Sequence, residues 1–160
     1  SGPVEAEGTG ELPPEGFRNC ATRWDIRFRY DNGVTMHYTD DNKLTHGINF
    51  IGDEGRVYVR RSHLETEPKS LIDSAIGPDE IHLYESNDHA GNFLDCVRSR
   101  AETVCPIDVA VRSDMICQLS DLAMRLKRPL KWDPAAEHFL GDDEANARLT
   151  RPMREPWKVA

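Results

Sequence analysis

Trp24, Ile26, Phe28 and Tyr30 alternate with Asp25, Arg27 and Arg29, and the run ends on Asp31-Asn32-Gly33. A period of two sends successive side chains to opposite faces of an extended chain, so the apolar set faces a core and the charged set faces water. Asp, Asn and Gly tolerate positive φ, which reverses the chain there and returns Val34 to Tyr38 as the partner strand. A second pair follows: Gly47 to Ile51, a turn at Gly52-Asp53-Glu54-Gly55, then Val57, Tyr58 and Val59. Two successive hairpins predict an antiparallel meander rather than alternating β and α units.

The flanks are less regular. Val4 to Glu7 reads as a short extended piece, followed by a loop through Gly8, Gly10, Pro13, Pro14 and Gly16, where helix is disfavoured. After Pro68 come an apolar turn at Leu71-Ile72 and an edge strand at Ile81 to Tyr84. Asp88 is placed to cap a helix from His89 to Arg100 with Phe93, Leu94 and Val97 on one face. A longer helix has Pro106 in its first turn and Val111, Met115, Leu119, Leu122 and Leu126 at spacings of three and four, and Pro129 ends it. Asp133-Pro134 restarts a helical turn carrying His138, and Glu144 to Leu149 is the last helical piece. At 160 residues the chain fits one domain, of a size that buries roughly 70% of its unfolded surface.

The 28 acidic residues outnumber the 20 basic ones for a net charge of -8, which argues against a nucleic-acid partner. No apolar run approaches the roughly 18 residues of a membrane span, so no membrane partner is expected. The basic cluster Arg125, Lys127, Arg128 and Lys131 falls at a helix end, where cations complement the helix dipole. Cys20, Cys96, Cys105 and Cys117 form no C-x-x-C pair and no zinc-like spacing with the histidines. They read as free thiols, with Cys96 and Cys117 packed inside helices. Nothing in the chain assigns a compartment, cytoplasmic or exported.

Motifs that carry chemistry are scarce. A dinucleotide fingerprint needs G-x-G-x-x-G between a strand and a helix, so that backbone amides hold the pyrophosphate. Gly8-Thr9-Gly10 supplies two glycines, but Pro13 stands where the third is required and no helix follows. P-loop, H-E-x-x-H and G-x-S-x-G patterns are absent. His89 opens a helix beside Asp88, where the positive helix end favours neutral imidazole, giving a ligand hydrogen-bond partner or a capping group. His37, His46 and His138 have no carboxylate at ligand spacing and read as structural. Tyr58 and Arg60 share a strand face and together could grip a polyol or carboxylate. Asp40/Asp41 and Asp142/Asp143 read as solvated loop pairs rather than a calcium site.

Gly52-Asp53-Glu54-Gly55 with Val57-Tyr58-Val59-Arg60 is followed by His89 and Asn92-Phe93-Leu94-Asp95-Cys96-Val97-Arg98-Ser99-Arg100. Then come Leu119 through Arg128, Trp132-Asp133-Pro134 and Arg154-Glu155-Pro156-Trp157. In this order the chain resembles the C-terminal domain of the Gfo/Idh/MocA oxidoreductases, in its bacterial type. The resemblance implies an α+β domain with a mostly antiparallel open sheet, helices packed on one face, and the other face available for substrate or subunit pairing. It further implies a parent in which an N-terminal Rossmann domain holds NAD or NADP and hydride passes to or from a sugar-like alcohol. The family's cofactor fingerprint, catalytic lysine and Asp/His pair match no position here, so the chain starts, without Met, like a piece of a longer polypeptide; a processed terminus would look the same.

The expectations are therefore these. The domain alone is catalytically silent and holds no cofactor or metal. Tyr58, Arg60 and His89 are its substrate-side candidates, and Arg154 and Trp157 are candidates for contact with the N-terminal domain. A homo-oligomer forms through the sheet face. The alternative is a non-catalytic carbohydrate-binding or dimerisation module, which would use Trp24, Tyr30 and Tyr58 as stacking surfaces.

Overall fold

Strand β1 (Glu5–Glu11) runs straight through Gly8 and Gly10, where the sequence predicts a loop. The correction has a steric cause. A Cβ on Gly8 would lie 2.3 Å from the Asp25 carbonyl oxygen, and one on Gly10 would lie 2.0 Å from the Met124 sulfur. The glycines are there because a neighbouring strand and a helix press against this strand, not because the chain turns. The computed structural model describes residues 2–15, 17, 19–40 and 44–157, in two compact units: 1–40 with 107–160, and 41–106.

After β1 the elements run β2 (Arg23–Arg29), β3 (Thr35–Thr39), β4 (Ile48–Gly52), β5 (Gly55–Arg60), β6 (His63–Glu67), a 3-10 turn (Lys69–Asp73) and α1 (His89–Ser99). Then come α2 (Ile107–Leu126), β7 (Leu130–Asp133), β8 (His138–Phe139) and α3 (Asp143–Asn146). Every strand pairing is antiparallel. The fold is α+β, as the sequence predicts.

The first unit is a five-stranded sheet in the order β3-β2-β1-β7-β8 with α2 against one face. The predicted hairpin forms: Gly33 has φ 86°, its N–H donates to the Tyr30 carbonyl at 3.1 Å, and the Asn32 carboxamide oxygen accepts from the Val34 N–H. Ala6, Ile26, Phe28, Leu130 and Trp132 face Met115, Leu119, Leu122, Ala123 and Met124 of α2, and Phe139 and Ala145 close the core. Burying a side chain such as Phe28 or Leu119 stabilises the fold by about 1.5–3 kcal/mol. The apolar stripe of α2 starts at Met115; Val111, which the spacing places on that stripe, is exposed, as is Cys117.

β7 pairs with β1 only at Glu5 and Ala6. The next residue back along β7 is Pro129, which has no N–H to extend the ladder. Asp133-Pro134 does not restart a helix: Asp133 ends β7, its Oδ1 accepts from the Ala135 and Ala136 N–H groups, and the chain returns as β8 with His138 on a strand. Those N–H groups hold the Asp133 carboxyl below its usual range, Ala136 contributing most.

The second unit is the three-stranded sheet β4-β5-β6, followed by the 3-10 turn and α1. The β4–β5 hairpin is the predicted one, and β6 adds a strand the sequence pattern does not announce, since His63-Leu64-Glu65-Thr66-Glu67 is mostly polar. Ile81 to Tyr84 is not a strand. Asp88 caps α1 as expected, its Oδ1 accepting from the Gly91 N–H at 2.8 Å. Arg100 closes the helix in the left-handed conformation, and Asn92 ties Tyr84 to Val104 through its amide. Among the apolar residues described in this unit only Cys96 is buried.

Candidate functional site

The face of the first unit's sheet that points away from α2 is polar, and the pairing register builds it row by row. Glu5 stands opposite Arg29, Glu7 opposite Arg27, Thr9 opposite Asp25 and Glu11 opposite Arg23. On the other side of β2, Arg27 stands opposite His37 and Arg29 opposite Thr35. Where the opposite charges meet, as Glu5 does with Arg29 and Glu11 with Arg23, a cross-strand pair supports the sheet by roughly 0.2–1 kcal/mol. The Arg29 guanidinium donates to Glu5 at 2.7 and 2.9 Å, and His37 Nε2 lies 2.8 Å from Asp25 Oδ1. The His37–Asp25 contact corrects the expectation that His37 lacks a carboxylate partner; the two meet diagonally across strands, which sequence spacing does not reveal.

Two grooves open on this face. The larger, about 430 Å³, is lined by Glu7, Gly8, Thr9, Asp25, Arg27, Lys127, Arg128 and Pro129. The smaller, about 280 Å³, runs past Arg27, Arg29, Thr35 and His37. Arg27 lines both.

Arg128 is fixed from behind. Its guanidinium donates to both oxygens of Asp142 and, at 3.0 Å, to Glu144. These carboxylates raise the guanidinium's affinity for its proton, Asp142 more than Glu144, while Arg128 and the Ala145 N–H hold the Asp142 carboxyl below its usual range. Asp142 is thus a paired helix cap rather than a solvated loop carboxylate, and the basic cluster works through carboxylates as well as the α2 dipole: Arg125 binds Asp121 at 2.7 Å. Asp40 is also taken up structurally, its Oδ2 accepting from the Trp24 N–H at 3.0 Å, whereas Asp41 lies outside the described residues.

The residues singled out from the sequence lie elsewhere. Tyr58 and Arg60 share one face of β5, as alternation requires. The Tyr58 hydroxyl donates to the His46 carbonyl and its ring meets the His63 imidazole edge-on at 5.8 Å. Arg60 ends the strand exposed, opposite His63. His89 is the exposed first residue of α1, and among the described residues no hydrogen bond, ion pair or ring contact joins it to Tyr58 or Arg60. Arg154 and Trp157 share a turn in which the Trp157 N–H donates to the Arg154 carbonyl, and the Trp157 ring is 70% exposed. Trp24 and Tyr30 are partly buried against the core, and that burial pushes the Tyr30 phenol up.

Among the described residues no three His, Cys, Asp or Glu side chains gather as a metal ion requires, and no helix is long and apolar enough to cross a membrane. Gly8-Thr9-Gly10 does not form a dinucleotide loop: it lies inside β1 with its two glycines packed against Ile26 and Met124, and no helix start follows it to meet a pyrophosphate.

The polar sheet face is the part of the site that pattern reading missed as a site. Its signal was present in the alternation of Asp25, Arg27 and Arg29, but the partner row Glu5, Glu7, Thr9 was hidden by the glycines between. No curated protein and no solved structure matches the chain. Residues 9–159 match the Gfo/Idh/MocA family model described as the oxidoreductase family's C-terminal alpha/beta domain, and the chain therefore belongs to that oxidoreductase family as its C-terminal domain.

Proposed function

We propose that this domain is the non-nucleotide half of an NAD(P)-dependent oxidoreductase acting on a sugar or sugar-like alcohol. It supplies the substrate-side wall, with Tyr58, Arg60 and His89 as the candidate contacts, and pairs subunits through a sheet face. An N-terminal Rossmann domain holds the cofactor, and Arg154 and Trp157 contact that domain. The observation that carries this reading is the family match over residues 9–159, joined to an architecture in which one face of the larger sheet is covered by α2 and the other is left polar. Hydride transfer requires the nicotinamide carbon to be held against the substrate; in this reading the Rossmann domain holds it and the domain alone is silent.

The test compares these 160 residues alone with the same residues joined to their Rossmann domain, assaying NAD and NADP reduction over a panel of sugars and polyols. Turnover by the joined protein and none by the domain is the expected result. Turnover by the isolated domain, or none by the joined protein with any polyol, overturns it.

A further inference from the structure

We propose that the larger groove of the polar sheet face is a binding site for a hydroxylated monocarboxylate, a sugar acid of hexose size. The groove lies where β7 parts from β1 at Pro129, and its walls come from β1, β2 and the segment that follows α2. Its volume of about 430 Å³ falls within the range of about 300–1,000 Å³ typical of small-molecule pockets.

The charges are arranged for a ligand with one negative end and several hydroxyls. Arg27 and Lys127 reach the groove from different elements, and neither side chain has a hydrogen bond or ion pair among the described residues. Arg128 is already held by Asp142 and Glu144, so it adds a fixed positive wall rather than a free hand. The planar fork of Arg27 suits a carboxylate, and the Lys127 ammonium is a point charge on a flexible stem that can meet the same group. The Glu7 carboxylate and Thr9 hydroxyl, likewise without partners among the described residues, are left to accept from ligand hydroxyls.

A phosphate dianion fits worse. Lys127 directly follows α2, so the groove sits beside the negative end of that helix, with Glu7 and Asp25 also lining it. A neutral sugar leaves Arg27 and Lys127 unmatched, and a simple carboxylate leaves Glu7 and Thr9 unmatched.

The proposal goes beyond the dehydrogenase reading and does not depend on it. Calorimetric titration of this chain uses gluconate, glucose, acetate and glucose 6-phosphate as probes. Gluconate is expected to bind saturably and at least about tenfold tighter than the other three, the scale of one charge-assisted contact. R27Q and K127N should each weaken gluconate about tenfold with circular dichroism unchanged. Position 27 is exposed, and Asn suits the φ of 54° at position 127, so at least one variant folds. No saturable gluconate binding, equal affinity for acetate or glucose, tighter glucose 6-phosphate, or unchanged gluconate affinity in a folded variant overturns the proposal. Gluconate silence together with polyol turnover by the joined two-domain protein defeats the groove alone; gluconate binding with no turnover defeats the dehydrogenase reading alone.

Discussion

The Arg128 guanidinium grips Asp142 with both terminal nitrogens, Nη1 on Oδ2 and Nη2 on Oδ1, the second at 2.9 Å. Asp142 at the same time caps α3, its Oδ1 accepting from the Ala145 N–H at 3.0 Å. One carboxylate therefore links the segment entering β7 to the helix that closes the core at Ala145.

Two substitutions separate its roles. Asn keeps a cap acceptor and loses the ion pair, and Ala loses both. Urea midpoints should fall in the order wild type, D142N, D142A. Pairing with Arg128 lowers the folded-state pKa of Asp142, so its contribution is present above the unfolded value of about 3.9 and is lost as pH falls through the lower folded value. The gap between wild type and D142N should therefore close as pH drops below about 4, and a gap unchanged at pH 2 would remove the ion pair from the account.

Gly8 and Gly10 differ in what crowds them. An added methyl at Gly8 meets the Asp25 backbone oxygen and the Ile26 backbone, which cannot move without breaking the β1–β2 ladder. At Gly10 it meets first the far end of the Met124 side chain, which can change rotamer. Overpacking costs about 1–3 kcal/mol, so G8A should lie at or above the top of that range and G10A near the bottom. Equal losses in chemical denaturation would mean that β1 relaxes as a rigid whole.

These glycines also show why part of the fold was legible in sequence and part was not. Trp24 to Tyr30 carries its own alternation and its own turn, so the central hairpin could be placed to within a residue. β1 has small residues on its buried side, because β2 crowds Gly8 at Asp25 and Ile26 and α2 crowds Gly10 at Met124, and small residues give no apolar signal. Asp88 acts on a neighbour three residues away and was readable, whereas Asp25 with His37 and Arg128 with Asp142 join residues 12 and 14 apart through tertiary geometry. The family order of motifs gave the domain; the polar groove needed the register.

Trp132 and Trp157 divide sharply. Trp132 is 5% exposed and meets Phe139 edge-on at 4.8 Å, while Trp157 is 70% exposed. W132A should cost about 3–5 kcal/mol, as for other buried aromatics. W157A should change the stability of this chain by no more than about 0.5 kcal/mol. Truncation after Leu149 should be equally mild, whereas truncation after Gly141 removes Asn146, whose side chain binds both backbone groups of Phe139, and should lower Tm sharply. If W157A weakens the joined two-domain protein but not the domain alone, the tail ring contacts the Rossmann half.

Among the described residues the core is confined to one unit. Every residue of the hydrophobic cluster lies within 1–40 or 107–160, and the buried Asp40 closes β3 against the Trp24 backbone before residues 41–106 begin. Exchanging 41–106 for a flexible Gly/Ser linker of about 20 residues, with an r.m.s. reach of roughly 25 Å, should leave a cooperative thermal transition and the near-ultraviolet signal of Trp24 and Trp132. Loop-closure entropy changes slowly with length, so the linker itself shifts stability little. Residues 41–106 alone bury one apolar side chain, Cys96, among those described, too little to offset roughly 1–2 kcal/mol of backbone ordering per residue. That fragment should show no cooperative transition by itself. A cooperative fold in isolated 41–106, or its loss in the linker variant, would place part of the stabilising core in the second unit.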